Sequence, residues 1–117
     1  MILSQKQIYD YLCANPLGVN VNIGELEDLN GADYIFLDYE REELIGSDNK
    51  GVYKTYFEIV VACKNFDDCR TLTRYVQDKF NVDVRYNQAS DFEYYLSQMN
   101  GWLLVYENNE NREFQGF

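Results

Sequence analysis

Phe92-Glu93-Tyr94-Tyr95-Leu96-Ser97-Gln98-Met99-Asn100-Gly101-Trp102-Leu103-Leu104-Val105-Tyr106-Glu107 is the stretch on which the reading of the fold turns. Two β-prone runs flank Asn100-Gly101, and both of those residues tolerate the positive φ that a type I′ turn requires. The spacing therefore predicts a β-hairpin. It would set Met99 against Trp102, Ser97 against Leu104 and Tyr95 against Tyr106 on one face, with Leu96 against Val105 on the other. Both faces of such a hairpin are substantially apolar. One can pack on helices, and the other requires a further partner.

Upstream of this stretch the periodicity switches between helix and strand. Ser4 and Gln7 have capping-box spacing, and Ile8, Tyr11 and Leu12 recur at helical intervals, which predicts a helix from Gln5 to Ala14 stopped by Asn15-Pro16. Val19 to Ile23 alternates as a short strand, and Tyr34 to Tyr39 reads as a second. Val52 to Cys63 is the longest strand candidate. Tyr53, Thr55, Phe57, Ile59, Val61 and Cys63 share one face, and Lys54, Tyr56, Glu58 and Val60 the other. Asn65 or Asp67 can cap a second helix reaching Phe80, with Cys69, Leu72, Val76 and Phe80 as its buried stripe. Val82 to Tyr86 alternates again. The expected fold class is α+β: two helices on a mostly antiparallel sheet of about five strands, in the order α-β-β-β-α-β-β, with a long β-hairpin loop over Glu40–Gly51. One domain is expected over 1–107, and 108–117, polar apart from Phe114 and Phe117, reads as a flexible tail.

Composition narrows the function. The chain has 117 residues with 10 Lys+Arg, 20 Asp+Glu and no His, a formal net charge of −10. An acid excess argues against an ordinary nucleic-acid binder, which displaces phosphate counterions with cations. Without histidine there is no imidazole base, His-containing triad or imidazole-ligated metal. Cys13, Cys63 and Cys69 form neither a C-x-x-C pair nor an even set, so they read as buried free thiols of a reducing compartment rather than as a disulfide or zinc framework. The longest apolar run, Ile59 to Cys63, is too short to cross a bilayer, and no membrane partner is expected.

Catalysis finds little support. Glu42-Glu43 and Asp67-Asp68 are sequence neighbours, which point apart on a regular element, and an acid–base pair needs carboxyls in one desolvated cleft. Cys69 falls on the buried stripe, away from the cationic setting a nucleophilic thiol requires. Gly24, Gly31, Gly46 and Gly51 stand singly, so no phosphate-cradling loop is present. No enzyme activity, cofactor or metal is expected.

The charge map is more informative. Between Glu25 and Asp48 lie nine acids (Glu25, Glu27, Asp28, Asp33, Asp38, Glu40, Glu42, Glu43 and Asp48) against one base, Arg41, a charge of −8. The second helix instead carries Arg70, Arg74 and Lys79, with Arg70 and Arg74 one turn apart. Three arrangements are compatible with that asymmetry. It can be a solvated surface, an acidic patch meeting the basic helix of a neighbouring subunit, or an electronegative surface that repels or mimics DNA. Eleven tyrosines beside seven phenylalanines and one tryptophan exceed what one small core buries with satisfied hydroxyls, which favours association.

With an aromatic Tyr34-Ile35-Phe36-Leu37 strand introduced by Ala32-Asp33, a polar loop ending in Asp48-Asn49-Lys50, and the Tyr53-to-Val60 strand Tyr-Lys-x-Tyr-x-Glu-Ile-Val, the chain resembles the small tail-terminator or tail-completion proteins of tailed bacteriophages. The likeness spans residues 2–107 and departs at Gly31-Ala32-Asp33, where many members carry Leu-Pro. It implies a non-enzymatic virion protein at the head–tail joint, assembled in the host bacterial cytoplasm. It further implies a homo-oligomeric ring, hexameric or higher, that terminates the tail tube or joins it to head-completion and connector proteins while DNA passes without specific binding. Contacts to neighbours are then expected at Glu40, Arg41, Glu42, Glu43, Asp48, Lys50, Arg70, Arg74, Tyr95, Trp102 and Tyr106. Glu25, Glu27, Asp28, Glu42 and Glu43 become candidates for an acidic lumen that keeps phosphates from adhering. The alternative function is an acidic DNA mimic that inhibits a host nuclease or defence protein.

Overall fold

Strict alternation from Val52 to Cys63 produces the central strand of the molecule, β3, with Phe57, Ile59, Val61 and Cys63 buried on one side. The computed structural model describes residues 3–24, 32–44, 52–88, 94–107 and 112–115. In chain order they form α1 (Leu3–Cys13), β1 (Asn20–Ile23), β2 (Tyr34–Leu44), β3 (Val52–Cys63), α2 (Phe66–Gln77), β4 (Val82–Gln88), β5 (Tyr95–Glu107) and β6 (Arg112–Gln115). The fold is α+β, and the order α-β-β-β-α-β-β holds through residue 107 as the sequence predicts. The sheet runs β1-β2-β3-β5-β4, with β6 also paired to β5. Every pairing is antiparallel except β1 with β2.

Both helices lie on the same face of this sheet. Ile8 and Leu12 of α1 join Cys69, Leu72 and Val76 of α2, and together they bury Ile35, Leu37, Phe57, Ile59, Val61, Met99 and Leu103. Asn65 caps α2, its Oδ1 accepting from the Asp67 N–H at 2.8 Å, and Asp67 and Asp68 complement the positive end of the helix. The helix stops at Gln77, earlier than its apolar stripe suggests, and Phe80 enters the core from the turn that follows. The α1–β1 connection is built around Asn15, only 7% exposed. Its Nδ2 donates to the carbonyls of Leu12 (2.8 Å) and Val19 (2.9 Å), and its Oδ1 accepts from the N–H groups of Leu17 (3.2 Å) and Val19 (3.0 Å). Gly18, at a φ of 64°, supplies the left-handed residue that this tight path demands.

The predicted hairpin at Asn100-Gly101 does not form. Residues 95–107 are one continuous strand whose register with β3 is unbroken from Val52↔Tyr106 to Cys63↔Tyr95. Gly101 is absent from the positive-φ glycines of the described residues, whereas a type I′ turn would place it there. Its role is close approach: a Cβ at this position would sit 2.9 Å from both Phe57 Cζ and Val82 Cγ1, and 3.1 Å from the Asn81 carbonyl oxygen. Pairing the whole strand with β3 buries Met99 and Leu103 on one side, a gain that a local turn between them would forfeit.

Two further expectations need revision. The start of the expected 40–51 loop is strand, because β2 continues through Leu44 with Glu42 opposite Thr55 and Glu43 opposite Lys54, and residues 45–51 lie outside the described residues. A register shift between Tyr39 and Arg41 makes Glu40 the extra residue of a β-bulge. The C-terminal segment, read as a flexible tail, contains β6, which pairs Arg112 with Glu107 and Gln115 with Leu104.

Candidate functional site

The face of the sheet opposite α1 and α2 has no described element packed on it, and it is the surface on which a functional contact can be built. Register brings its side chains into rows that cross the strands. Tyr34, Ala62, Leu96 and Asn87 make one row, and Phe36, Val60, Gln98 and Arg85 the next. Asp38, Glu58, Asn100 and Asp83 form a third, acidic row, and Tyr56 and Trp102 lie opposite each other beyond it. Phe36, Val60, Leu96, Tyr56 and Trp102 are half-buried. A core-facing strand position hides such residues fully, as it does Ile35 and Ile59 one residue away.

Local interactions hold several of these groups in place. Lys54 Nζ lies 4.2 Å from the Trp102 ring centroid and 5.1 Å from that of Tyr56, so the two rings share one cation. Gln98 Nε2 donates to Glu58 Oε2 at 2.8 Å, satisfying a carboxylate that stands directly across from Asp38. Tyr94 donates its hydroxyl to the Ala32 carbonyl at 3.0 Å, and its ring meets Tyr34 edge-on at 5.8 Å. Burial raises the Tyr34 hydroxyl pKa, with the neighbouring Tyr94 adding to it, so this phenol stays neutral. Among the described residues no three carboxylate or thiol side chains converge as a metal-ion site would need. The face can offer apolar and aromatic area, the cations of Lys54 and Arg85 and a band of carboxylates to a macromolecular partner.

The sequence-predicted contact residues are distributed unevenly over this frame. Trp102 is on the open face. Tyr95 is not, because in a continuous strand odd-numbered residues face the helices: Tyr95 packs against the core and its ring meets Phe66 at 5.4 Å. The expected pairing of Tyr95 with Tyr106 is replaced by Cys63↔Tyr95 and Val52↔Tyr106. Glu40, Arg41, Glu42 and Glu43 are carried by the distal part of β2, paired with β3 from Tyr56 to Lys54. Arg70 and Arg74 are exposed on α2, with the Arg70 guanidinium 5.9 Å from the Phe66 ring centroid. Helix α2 packs on β3 and β5, and its residue Cys69 hydrogen-bonds through Sγ to the Val61 carbonyl at 3.9 Å, far along β3 from Glu42 and Glu43. One copy therefore does not bring the two charge sets together. Glu25, Glu27, Asp28, Asp48 and Lys50 lie outside the described residues.

The cysteines divide into two kinds. Cys63 and Cys69 are buried, and burial pushes their thiols up to about 12 and about 11, which removes them as nucleophiles. Cys13 is exposed, against the expectation of three buried thiols. Sequence reasoning set Leu96 on an apolar face that requires a partner but missed Phe36 and Val60 as part of that surface. Their signal was present as apolar residues out of phase with the core-facing alternation. No described helix is long and apolar enough to cross a membrane. Compared with protein-family models and with curated proteins, the chain matches none.

Proposed function

We propose that this chain is a structural virion protein of the bacteriophage head–tail joint, working without catalysis as a ring of identical subunits that terminates the tail tube or connects it to the head-completion complex. The observation that carries the reading is the uncovered sheet face, where Phe36, Val60, Leu96, Tyr56 and Trp102 are half-buried with no described element over them. A chain whose service is association needs such a surface and has no use for a cleft. The distal β2–β3 segment adds to this support: it carries Glu40 at the bulge and Glu42 and Glu43 beyond it, where subunits around a channel can present carboxylates to passing DNA. The lumen then repels phosphate and leaves the genome free to move.

Two measurements test the reading. Negative-stain microscopy of the chain mixed with tail tubes of its own phage is expected to show a ring at the tube end. Phage carrying Glu40→Lys, Glu42→Lys, Glu43→Lys and Asp48→Lys together are expected to lose infectious titre. Wild-type titre from that variant, or bare tube ends, sinks the proposal.

A further inference from the structure

The sheet ends at β4, and no described strand pairs with its outer edge. This edge is seven residues long, regular in register with β5 and free of proline. Natural edge strands are commonly guarded by bulges, proline or charges that repel a second strand. Here the two charges have opposite signs. Asp83 and Arg85 are both exposed on the face away from the helices, and neither has an ion-pair partner among the described residues. On the helix side of the same edge, Tyr86 is 46% exposed and Phe66 41%, with ring centroids 6.0 Å apart.

Strand geometry restricts how two copies of β4 can meet. In an antiparallel pair within one sheet, opposite residues share a face, so the two-fold axis passes through a residue and the register moves in steps of two. An axis at Asp83 sets that carboxylate against its own copy, and an axis at Arg85 does the same to the guanidinium. An axis at Val84 sets Asp83 opposite the partner's Arg85 and Arg85 opposite the partner's Asp83. It also places Val82 opposite the partner's Tyr86, so an apolar row forms on the helix side.

We propose that β4 is a self-complementary docking strand, which pairs antiparallel with β4 of a second copy about a two-fold axis at Val84. Main-chain hydrogen bonds supply the attraction, and the Asp83–Arg85 cross-pairs select the register over its neighbours. The inference does not rest on the head–tail reading. A two-fold contact closes on itself and leaves the open sheet face of both copies uncovered.

Sedimentation velocity over a concentration series tests it with the full chain. The wild type is expected to show a dimer or a dimer-based species. D83R and R85D each place two like-charged contacts in that register, and each is expected to weaken self-association about tenfold or more. An equimolar mixture of the two variants restores both opposite-charge pairs and is expected to recover association as a heterodimer. Circular dichroism checks that both variants, altered at exposed positions, retain the fold. A wild type that stays monomeric, a species whose mass ignores both charge reversals, or a mixture that behaves as the average of its parts overturns the proposal.

Discussion

Tyr11 and Tyr75 each donate a hydroxyl to the other's backbone carbonyl at 2.6 Å, while their rings stack with centroids 4.3 Å apart and planes 2° from parallel. Both residues occupy the last turn of a helix, where carbonyls lose their i+4 donors, and the Tyr11 carbonyl is left with a long contact from the Ala14 N–H at 3.3 Å. The Lys79 N–H, which an extended helix would direct to Tyr75, goes instead to the Val76 carbonyl. Each tyrosine thus completes the end of the opposite helix. Burial pushes the Tyr11 hydroxyl up to about 12, with Tyr75 reinforcing the effect. Tyr11→Phe and Tyr75→Phe are each expected to cost about 1 kcal/mol in urea denaturation. A double-mutant cycle is expected to show coupling, because loss of one bond loosens the stack that aligns the other.

Gly101→Ala distinguishes a strand from a turn. The added methyl meets the Phe57 ring and Val82 at 2.9 Å, and an overpacked core site is expected to lose about 1–3 kcal/mol. Asn100→Ala, at an exposed mid-strand position, is expected to stay within about 0.5 kcal/mol of wild type. The reverse ranking would indicate a type I′ turn.

Asn15→Ala removes four hydrogen bonds at the α1–β1 connection and leaves the Leu17 and Val19 N–H groups and the Val19 carbonyl to find other partners, while the Leu12 carbonyl keeps the Asn15 N–H at 3.2 Å. A loss of about 2–3 kcal/mol is expected by chemical denaturation. Asn15→Asp keeps the acceptor and loses both donated bonds. It is expected to fall between Ala and wild type.

Cys63 and Cys69 make the fold sensitive to alkali. Both thiols have an ordinary pKa of 9.0, and burial raises them to about 12 and about 11 in the folded chain. The core holds the neutral form, so their contribution is complete below pH 9 and is lost as pH rises through 11 to 12. Urea midpoints measured from pH 8 upward are expected to decline across that window. At neutral pH, Ellman's reagent is expected to titrate one thiol per native chain, Cys13, and all three in denaturant.

Thr55 is 1% exposed, and its hydroxyl has no hydrogen-bond partner among the described residues. Replacing it with valine removes an unsatisfied group at nearly constant shape. Thr55→Val is expected to raise stability by about 1 kcal/mol in the same urea assay.

The legible parts of the chain were those where local pattern and tertiary demand agree. Phe57, Ile59 and Val61 alternate because β3 is half covered by helices, and Leu72 and Val76 recur because α2 covers it. Asn100-Gly101 misled because turn propensity is a local preference, whereas the register of β5 is decided by its contact with a twelve-residue neighbour. Glu40 to Leu44 read as loop because three glutamates and an arginine break the apolar pattern, whereas backbone pairing with β3 keeps them in the strand. β6 had too few apolar residues to announce itself. For the site, Trp102 was expected as a contact through the resemblance, but its face was not legible: in the continuous strand Tyr95 lies on the core side, and Phe36 and Val60 share the open side with Trp102.

The β3–β5 register also bears on how fast the chain can fold. Its central pairing joins two strands separated by all of α2 and β4, so the largest interface forms only after a long loop has closed. β2 and β3 are sequence neighbours and can associate early. β5 must then find an edge already in place, and Gly101 settles against Phe57 as it does so. Refolding on the millisecond-to-second scale typical of non-local β pairing is expected, with β5, and β4 and β6 which pair with it, committing after β2 and β3.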